Sequence, residues 1–592
     1  MIKEIKPSKE IMIFDIEVFK YDTIIVFKRF EKLGYFTFQN SFKDVKSFIK
    51  DKLLIGFNNY NYDNYILAAI LQGKSQEEIK KISDYIISGG DVKALGLNRE
   101  VYSFNSLDVY QELPNRLSLK EFQANYGMDI KETPIDFDLN RPLNSDELNS
   151  VIKYCVHDVF ATEKLLKERI ESYFNPKIQL CNMSGKNSIR WNTTTIAADI
   201  ITDGNKVIPW NDLKINPRLF NFIPDEVKNY WANNYKNSAL GKSVSALNID
   251  VDGYNLSFGF GGLHQGDKVI ADDVVLIDVS SMYPNIIINN KFLGNKTSLY
   301  NNILMDRLIE KDGGNIVKSN ALKLILNSVY GNFKNQYSNL YNPLAAISTC
   351  LIGQIAIFNL FDKLKNHGKI ININTDGIAF VPKNKLWKKI AMDWMDDWRL
   401  PLTHKYYSKW IQKDVNNYVA IAKDGSITTK GADTSKFEYD VLGKVKANIV
   451  DKCVVNYLLH DIPIKETILS NLNNPKLFQI VLKNTNKFVA TVNQNGIATN
   501  KVNRVFAAKN TYTCLYRMKE NGNIVRFPDA PSEMYVYNED LDKLDIKEFK
   551  EIIDVDYYED LVNKKLRNWP NPKIIYFDEA ENIKDCEERK VI

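Results

Sequence analysis

Short apolar runs that break abruptly into acids recur along this chain. Ile11-Met-Ile-Phe-Asp15-Ile-Glu17 is apolar for four residues and then sets two carboxylates two positions apart. A strand has a side-chain period of two, so Asp15 and Glu17 share a face. Leu53-Leu-Ile-Gly-Phe-Asn-Asn59-Tyr-Asn-Tyr62-Asp63 predicts a second strand opening into polar residues, followed by a helix from Asn64. Val274-Val-Leu-Ile-Asp278-Val-Ser-Ser281-Met282-Tyr283-Pro284 reads as a buried strand delivering one carboxylate, because consecutive apolar residues leave no polar face. Asn372-Ile-Asn374-Thr375-Asp376-Gly377-Ile-Ala-Phe-Val predicts a strand, a tight turn and a strand.

Other stretches follow the helical period. Tyr154-Cys-Val-His157-Asp158 lies in a helical pattern running to Lys167, with Tyr154 and Asp158 on one face. Leu299 to Lys311 and Ile316 to Val329 predict two helices joined at Asp312-Gly-Gly-Asn, an antiparallel hairpin. Arg307 and Lys311 are four apart on the first; Lys323, Asn327 and Tyr330 share a face of the second. Gly259-Phe-Gly261-Gly262-Leu-His-Gln-Gly266 requires positive φ or close approach of another backbone. A further hairpin, running from Tyr418 to Lys430, turns at Asp424-Gly425. Residues 175 to 250 read as an Asn-rich connector without chemistry, with Trp191, Trp210 and Trp231 as packing anchors. From about 436 the chain is expected to be helical.

At 592 residues the chain exceeds one hydrophobic core, and about three to five domains are expected. A 44% apolar and 12% aromatic composition suits a folded protein. Net charge is +5 on 78 basic and 73 acidic residues, which excludes a uniformly basic protein but allows positive grooves beside acidic sites. The six cysteines (155, 181, 350, 453, 514, 586) form no Cys-x-x-Cys pair and read as reduced thiols in a cytoplasmic protein. Met-Ile-Lys-Glu-Ile-Lys lacks a signal-peptide layout, and no apolar run is expected to reach membrane-spanning length.

Acids sharing one face repel unless a cation or solvent neutralises them, so the order of these acidic stretches matters more than any one alone. Asp-x-Glu, Asn-x-x-Tyr-Asp and Tyr-x-x-x-Asp, in that order, resemble the exonuclease motifs of family B DNA polymerases. Asp278-Val-Ser-Ser-Met-Tyr-Pro, Lys323-x-x-x-Asn-Ser-x-Tyr-Gly331 and Asn374-Thr-Asp376-Gly resemble the three polymerase motifs of that family. The chain departs from it at Met282, where Leu is usual, at Asn374, where Asp is usual, and at Asn416 and Asn417, where lysines are common.

The resemblance implies an α/β multidomain chain: an RNase H-like 3′–5′ exonuclease, then a right-hand polymerase with an antiparallel palm sheet, two-helix fingers and a helical thumb. The boundaries expected are 1–175 exonuclease, 176–295 connector and first palm part, 296–345 fingers, 346–435 second palm part, and 436–592 thumb and C-terminal segment. Asp15, Glu17, Asp63 and Asp158 would hold two divalent ions, with Tyr154 orienting the water. Asn59, Tyr62, Ser106 and Leu107 would grip a single-stranded 3′ end.

Asp278, the Val279 carbonyl and Asp376 would hold two further ions, magnesium or manganese. Ser281, Met282, Tyr283, Arg307, Lys311, Lys323, Asn327 and Tyr330 would bind the deoxynucleoside triphosphate, Tyr283 rejecting a 2′-hydroxyl. Gly261, Gly262, Tyr418 and Lys430 would contact primer–template DNA.

Only 45 positions separate Asp278 from Lys323, and 45 separate Gly331 from Asp376. Protein-primed phage polymerases carry insertions in both intervals. A compact monomeric phage enzyme is therefore expected, extending an ordinary primer in the host cytoplasm, with helicase, primase or single-strand-binding partners and no membrane. The alternatives are a DNA-binding exonuclease with weak or absent synthesis, motivated by Asn374, and a self-priming primase-polymerase.

Overall fold

The computed structural model describes residues 10–133, 135–444 and 446–570. The chain forms two compact units. One comprises the chain up to Asn192 with Tyr439–Ala447 and Leu472–Asp554; the other comprises Thr193–Glu438, Asn448–Asn471 and the chain from Val555. Both mix helices with sheets.

The first unit is built on a five-stranded sheet ordered Phe36–Gln39, Thr23–Arg29, Ile11–Val18, Leu53–Gly56, Ser106–Asp108. The central Ile11–Val18 strand runs antiparallel to Thr23–Arg29 and parallel to Leu53–Gly56. Its alternating side chains enter two cores, Ile11 and Ile13 on one face, Met12, Phe14 and Ile16 on the other. Helix Ser145–Arg169 covers the first face. Asn144 caps that helix reciprocally with Glu147, satisfying backbone donors at its start. Helix Asp63–Leu71 packs into the second core.

Residues from 436 were expected to be helical. Helices Asn448–His460, Ile464–Ser470, Ile546–Ile552 and Val555–Leu566 are present, but between them the structure has strands at Ile480–Lys483, Ala490–Asn493, Val502–Ala507, Leu515–Met518, Ile524–Arg526 and Met534–Val536. They form small antiparallel sheets that belong to the first unit. Arg504 explains the attachment. Fully buried, it donates to Gln479 Oε1 (3.0 Å), Glu539 O (2.6 Å), Met128 O (2.8 Å) and Ala124 O (3.1 Å). A buried guanidinium must satisfy its donors, and here it does so on one side-chain amide and on backbone carbonyls from two segments.

The second unit centres on a nine-stranded antiparallel sheet in the order Ile427–Lys430, Asn417–Ala422, Leu402–Asp414, Val269–Val279, Gly377–Pro382, Gly368–Asn374, Leu263–Gln265, Tyr254–Phe258, Leu247–Val251. Helices Thr297–Asp312 and Ile316–Lys334 form the expected hairpin.

Two expectations need correcting. Helix Pro343–Leu364 is long and apolar enough to cross a membrane, although no such run was expected. It is 94% buried along its most apolar window, packed among other elements of this unit. Trp191 is exposed and anchors nothing, whereas Trp231 is buried against Phe258 and Trp210 packs edge-on to Phe292. Five cysteines are free thiols; Cys586 lies outside the described residues, as does the N-terminal hexapeptide.

Candidate active sites

In the first unit a cavity of about 730 Å³ is lined by Asp15, Glu17, Tyr62, Asp63, Tyr154 and Asp158, among others. Asp15 and Glu17 project together from strand Ile11–Val18. Asp63 opens the helix that follows Leu53–Gly56, and its Oδ1 accepts from the Ile16 amide at 3.2 Å. Asp158 comes from the inner face of helix Ser145–Arg169. Desolvation and then Asp158 raise the Asp15 carboxyl to about 7. Desolvation followed by Asp15 pushes Glu17 and Asp63 well above the usual carboxylate range.

Lys120 was missed by sequence reading. Its Nζ donates to both oxygens of Asp158, at 2.6 and 2.9 Å, and lies 4.4 Å from the centre of the Tyr154 ring. Gln123 donates to the same carboxylate at 2.7 Å. Both donors sit on helix Leu119–Tyr126, started by the Ser118/Glu121 capping box. That box marks the helix in the sequence, but nothing in the spacing marks the pairing.

Cys155 was also unassigned. Its Sγ donates to Asp15 Oδ2 at 3.3 Å, and ligand atoms of Asp15, Glu17 and Cys155 lie within 4.8 Å of one another. Crowded carboxylates in one desolvated wall fit divalent cations, whose charge would relieve their repulsion.

Of the residues expected to grip DNA here, only Tyr62 reaches the cavity, its hydroxyl 2.7 Å from Ser83 Oγ. Asn59, Ser106 and Leu107 are buried. With its nitrogen turned inward, the Asn59 amide donates to the Gly56 and Leu107 carbonyls, each at 3.1 Å. Asn64 donates to Ser106 Oγ at 3.1 Å.

In the second unit Asp278 lies next to the end of strand Val269–Val279, opposite Gly377 on one side and Thr403 on the other. Asp376 sits in the turn before Gly377, and its carbonyl accepts from the Val279 amide at 2.8 Å. A Cβ at Gly377 would approach Asp278 Oδ1 to 3.0 Å, so glycine leaves that carboxylate its space. Burial and then Asp376 raise Asp278 to about 6; burial also raises Asp376. Lys430, paired with Tyr418 across a hairpin, pulls both acids down, and Tyr418 stacks on Trp410. Two adjacent carboxylates that repel one another suit a divalent cation.

Asn374 holds the turn in place. Its Nδ2 donates to Val415 O (3.1 Å) and Asn416 Oδ1 (3.0 Å), tying the Asp376 hairpin to the turn before Asn417. Thr375 next to it holds φ at 59°, an unfavourable left-handed conformation for a β-branched residue.

The glycine-rich loop works by close approach. A Cβ at Gly262 would meet Thr375 Oγ1 at 2.7 Å, and one at Gly266 would meet Val415 Cα at 2.8 Å; Gly261 is open. Ser281, also left-handed at φ 52°, starts helix Met282–Asn289 and accepts from Arg307 Nη1 at 3.3 Å. Tyr283 and Tyr330 rings lie 4.3 Å apart, and the Tyr283 hydroxyl donates to Gly261 O at 3.2 Å. Met282 is buried against Gly353, leaving its backbone for any ligand contact. Lys311, Lys323 and Asn327 are exposed on the helical hairpin.

No protein-family profile matches the chain, and no curated protein matches it. Among solved structures, the family B DNA polymerase from the hyperthermophilic archaeon Pyrobaculum calidifontis is similar at 15% identity and a TM-score of 0.43. The match covers 98% of this chain and 79% of that one. A likeness this distant assigns neither fold nor activity.

Proposed function

We propose that this chain is a template-directed DNA polymerase that extends a primer 3′ end and edits it with a separate 3′–5′ exonuclease site. The observation that carries the reading is the pairing of Asp278 with Asp376 beside Tyr283, Tyr330 and Arg307. Asp278, Asp376 and the Val279 carbonyl would hold divalent ions, magnesium or manganese, as would Asp15, Glu17, Asp63 and Asp158 in the first unit. Those ions would acidify an attacking hydroxyl or water and offset charge on the phosphate.

The remaining work falls to the chain's own side chains. Arg307, with its planar fork, and Lys311 and Lys323 bind the triphosphate. The Tyr283–Tyr330 pair forms a floor under the sugar, where a 2′-hydroxyl meets the Tyr283 ring. The primer 3′-oxygen then bonds to the α-phosphorus as the bond to pyrophosphate breaks. In the first unit Tyr154, hydrogen-bonded to Asp158, orients the water that hydrolyses the terminal phosphodiester. The substrates are primer–template DNA and deoxynucleoside triphosphates. The compact spacing supports a monomeric phage replication enzyme that takes an ordinary primer in the host cytoplasm and relies on helicase, primase or single-strand-binding partners.

Primer extension with Mg²⁺ and then Mn²⁺ tests the reading. Synthesis is expected, and Asp278→Ala or Asp376→Ala should abolish it. No synthesis by the unmutated chain in either metal would overturn it in favour of a nuclease. Products from an unprimed template would point to self-priming instead.

A further inference from the structure

A second cavity of the first unit, about 320 Å³, is lined by Tyr60, Asn61, Tyr65, Tyr102, Tyr110 and Arg190, among others. Asn61 also lines the acid cavity, so the two adjoin at that side chain. Four tyrosines around one cationic group form a surface for flat rings and anions, and catalysis at the acids makes no use of it.

Its construction is specific. The Arg190 guanidinium sits 5.0 Å from the Tyr60 ring centre and 5.2 Å from that of Tyr102. Nη2 is fixed by Val101 O (2.6 Å), Ser106 Oγ (3.0 Å) and Phe104 O (3.3 Å). No carboxylate pairs with Arg190 among the described residues, and its strongest electrostatic neighbours are tyrosines. Asp108, the acid in the wall, is committed to the amides of Asn58, Tyr60 and Tyr110. Tyr102 stands at the mouth, 65% exposed, with Arg190 against its ring.

We propose that this cavity is a second single-stranded DNA subsite, seating bases upstream of the terminal nucleotide held in the acid cavity. The proposal rests on the nuclease reading above. A strand whose 3′ end reaches the acids must continue somewhere, and the cavity sharing Asn61 is the adjoining space with the right chemistry. Bases stack on tyrosine faces without regard to sequence, and an unpaired arginine meets a phosphate. That combination suits an editing site, which has to accept any 3′ sequence.

The test uses the full chain and oligothymidylates carrying 5-iodouracil at successive positions from the 3′ end, with Ca²⁺ in place of Mg²⁺ to suppress cleavage. Light should crosslink the terminal base to the peptide containing Tyr62, and an upstream base to Tyr102 or Tyr110. Tyr102→Ala should lose the upstream crosslink and bind the oligonucleotide about 5- to 100-fold more weakly, with unchanged circular dichroism and melting. Upstream crosslinks mapping elsewhere, or unchanged affinity in Tyr102→Ala, would overturn the subsite while leaving the nuclease reading intact. A terminal base that also misses the acid cavity would bring down the nuclease reading itself.

Discussion

In the first unit Asp15, Glu17, Asp63 and Asp158 share a cavity with Asp84 and Asp138; Lys80 pairs with the latter two and Lys120 with Asp158. In the second only two carboxylates meet, with Lys430 acting on both through space. The first wall is more deeply desolvated, and its acids are held higher, to about 7 at Asp15 against about 6 at Asp278. On the proposed function, these would be two ways of storing affinity for cations. One concentrates repulsion and relieves part of it with a built-in ammonium; the other keeps charge low and spends its structure on placing the acids. Glycines 262 and 377, the Asn374 amide and the left-handed Thr375 and Ser281 all serve placement in the second unit.

The strongest test of this contrast is to separate the activities. Asp278→Ala should reduce primer extension by about 10³-fold or more and leave degradation of an end-labelled strand intact. Asp15→Ala should do the reverse; joint loss would show that the sites are not independent. Next in size is Lys120→Met. It strands the buried Asp158 carboxylate and should cost about 3 kcal/mol of stability in metal-free buffer, read by chemical unfolding. Added Mg²⁺ should restore much of that loss.

Asn374→Asp comes third. It turns a double donor into an acceptor facing two acceptors and should destabilise by about 1–3 kcal/mol, with slower extension despite the added charge. Faster extension with no loss of melting temperature would show that charge, not placement, limits the second site.

The smallest effect is on pH. Asp15 and Asp278 are raised in the fold, so the folded chain holds protons that the unfolded chain releases from about pH 4 upward. Without metal, stability contributed by these groups should therefore be full below about pH 4. It should fall as pH rises, through about 6 for Asp278 and about 7 for Asp15. Melting curves in EDTA across that range should show the fall, and Asp15→Asn should blunt its upper end. Stabilisation by Mg²⁺ should grow with pH over the same window.

What was legible in the sequence follows from local geometry. Period two placed Asp15 beside Glu17, four-residue spacing put Tyr154 near Asp158, and the Asp-Gly-Gly-Asn break marked the helical hairpin. Lys120 was not legible, since it meets Asp158 across 38 positions with no periodicity to announce it. Asn59 and Ser106 were expected to grip a single-stranded 3′ end, and only the structure shows their side chains bonded to buried carbonyls and amides. The strands of 480–536 hid because each is at most six residues long and set among lysines and asparagines, giving no sustained alternation. Asn374 was read as a lost charge because a side chain's donor role depends on Val415 and Asn416, which lie about 40 residues away.

Helix Pro343–Leu364 carries a consequence for the birth of the chain. On the ribosome its apolar surface emerges after the helices Asp225–Ala239, Met282–Asn289 and Ile316–Lys334 that pack on it, and before Trp387–Trp398, which also does. Early partners can shelter it in part, but a nascent chain whose emerged portion ends between residues 364 and 387 presents a segment as greasy as a membrane anchor to every chaperone and bilayer nearby. Slowing translation once Trp398 has itself left the ribosome, and not while Leu364 is the last residue out, should therefore favour soluble yield.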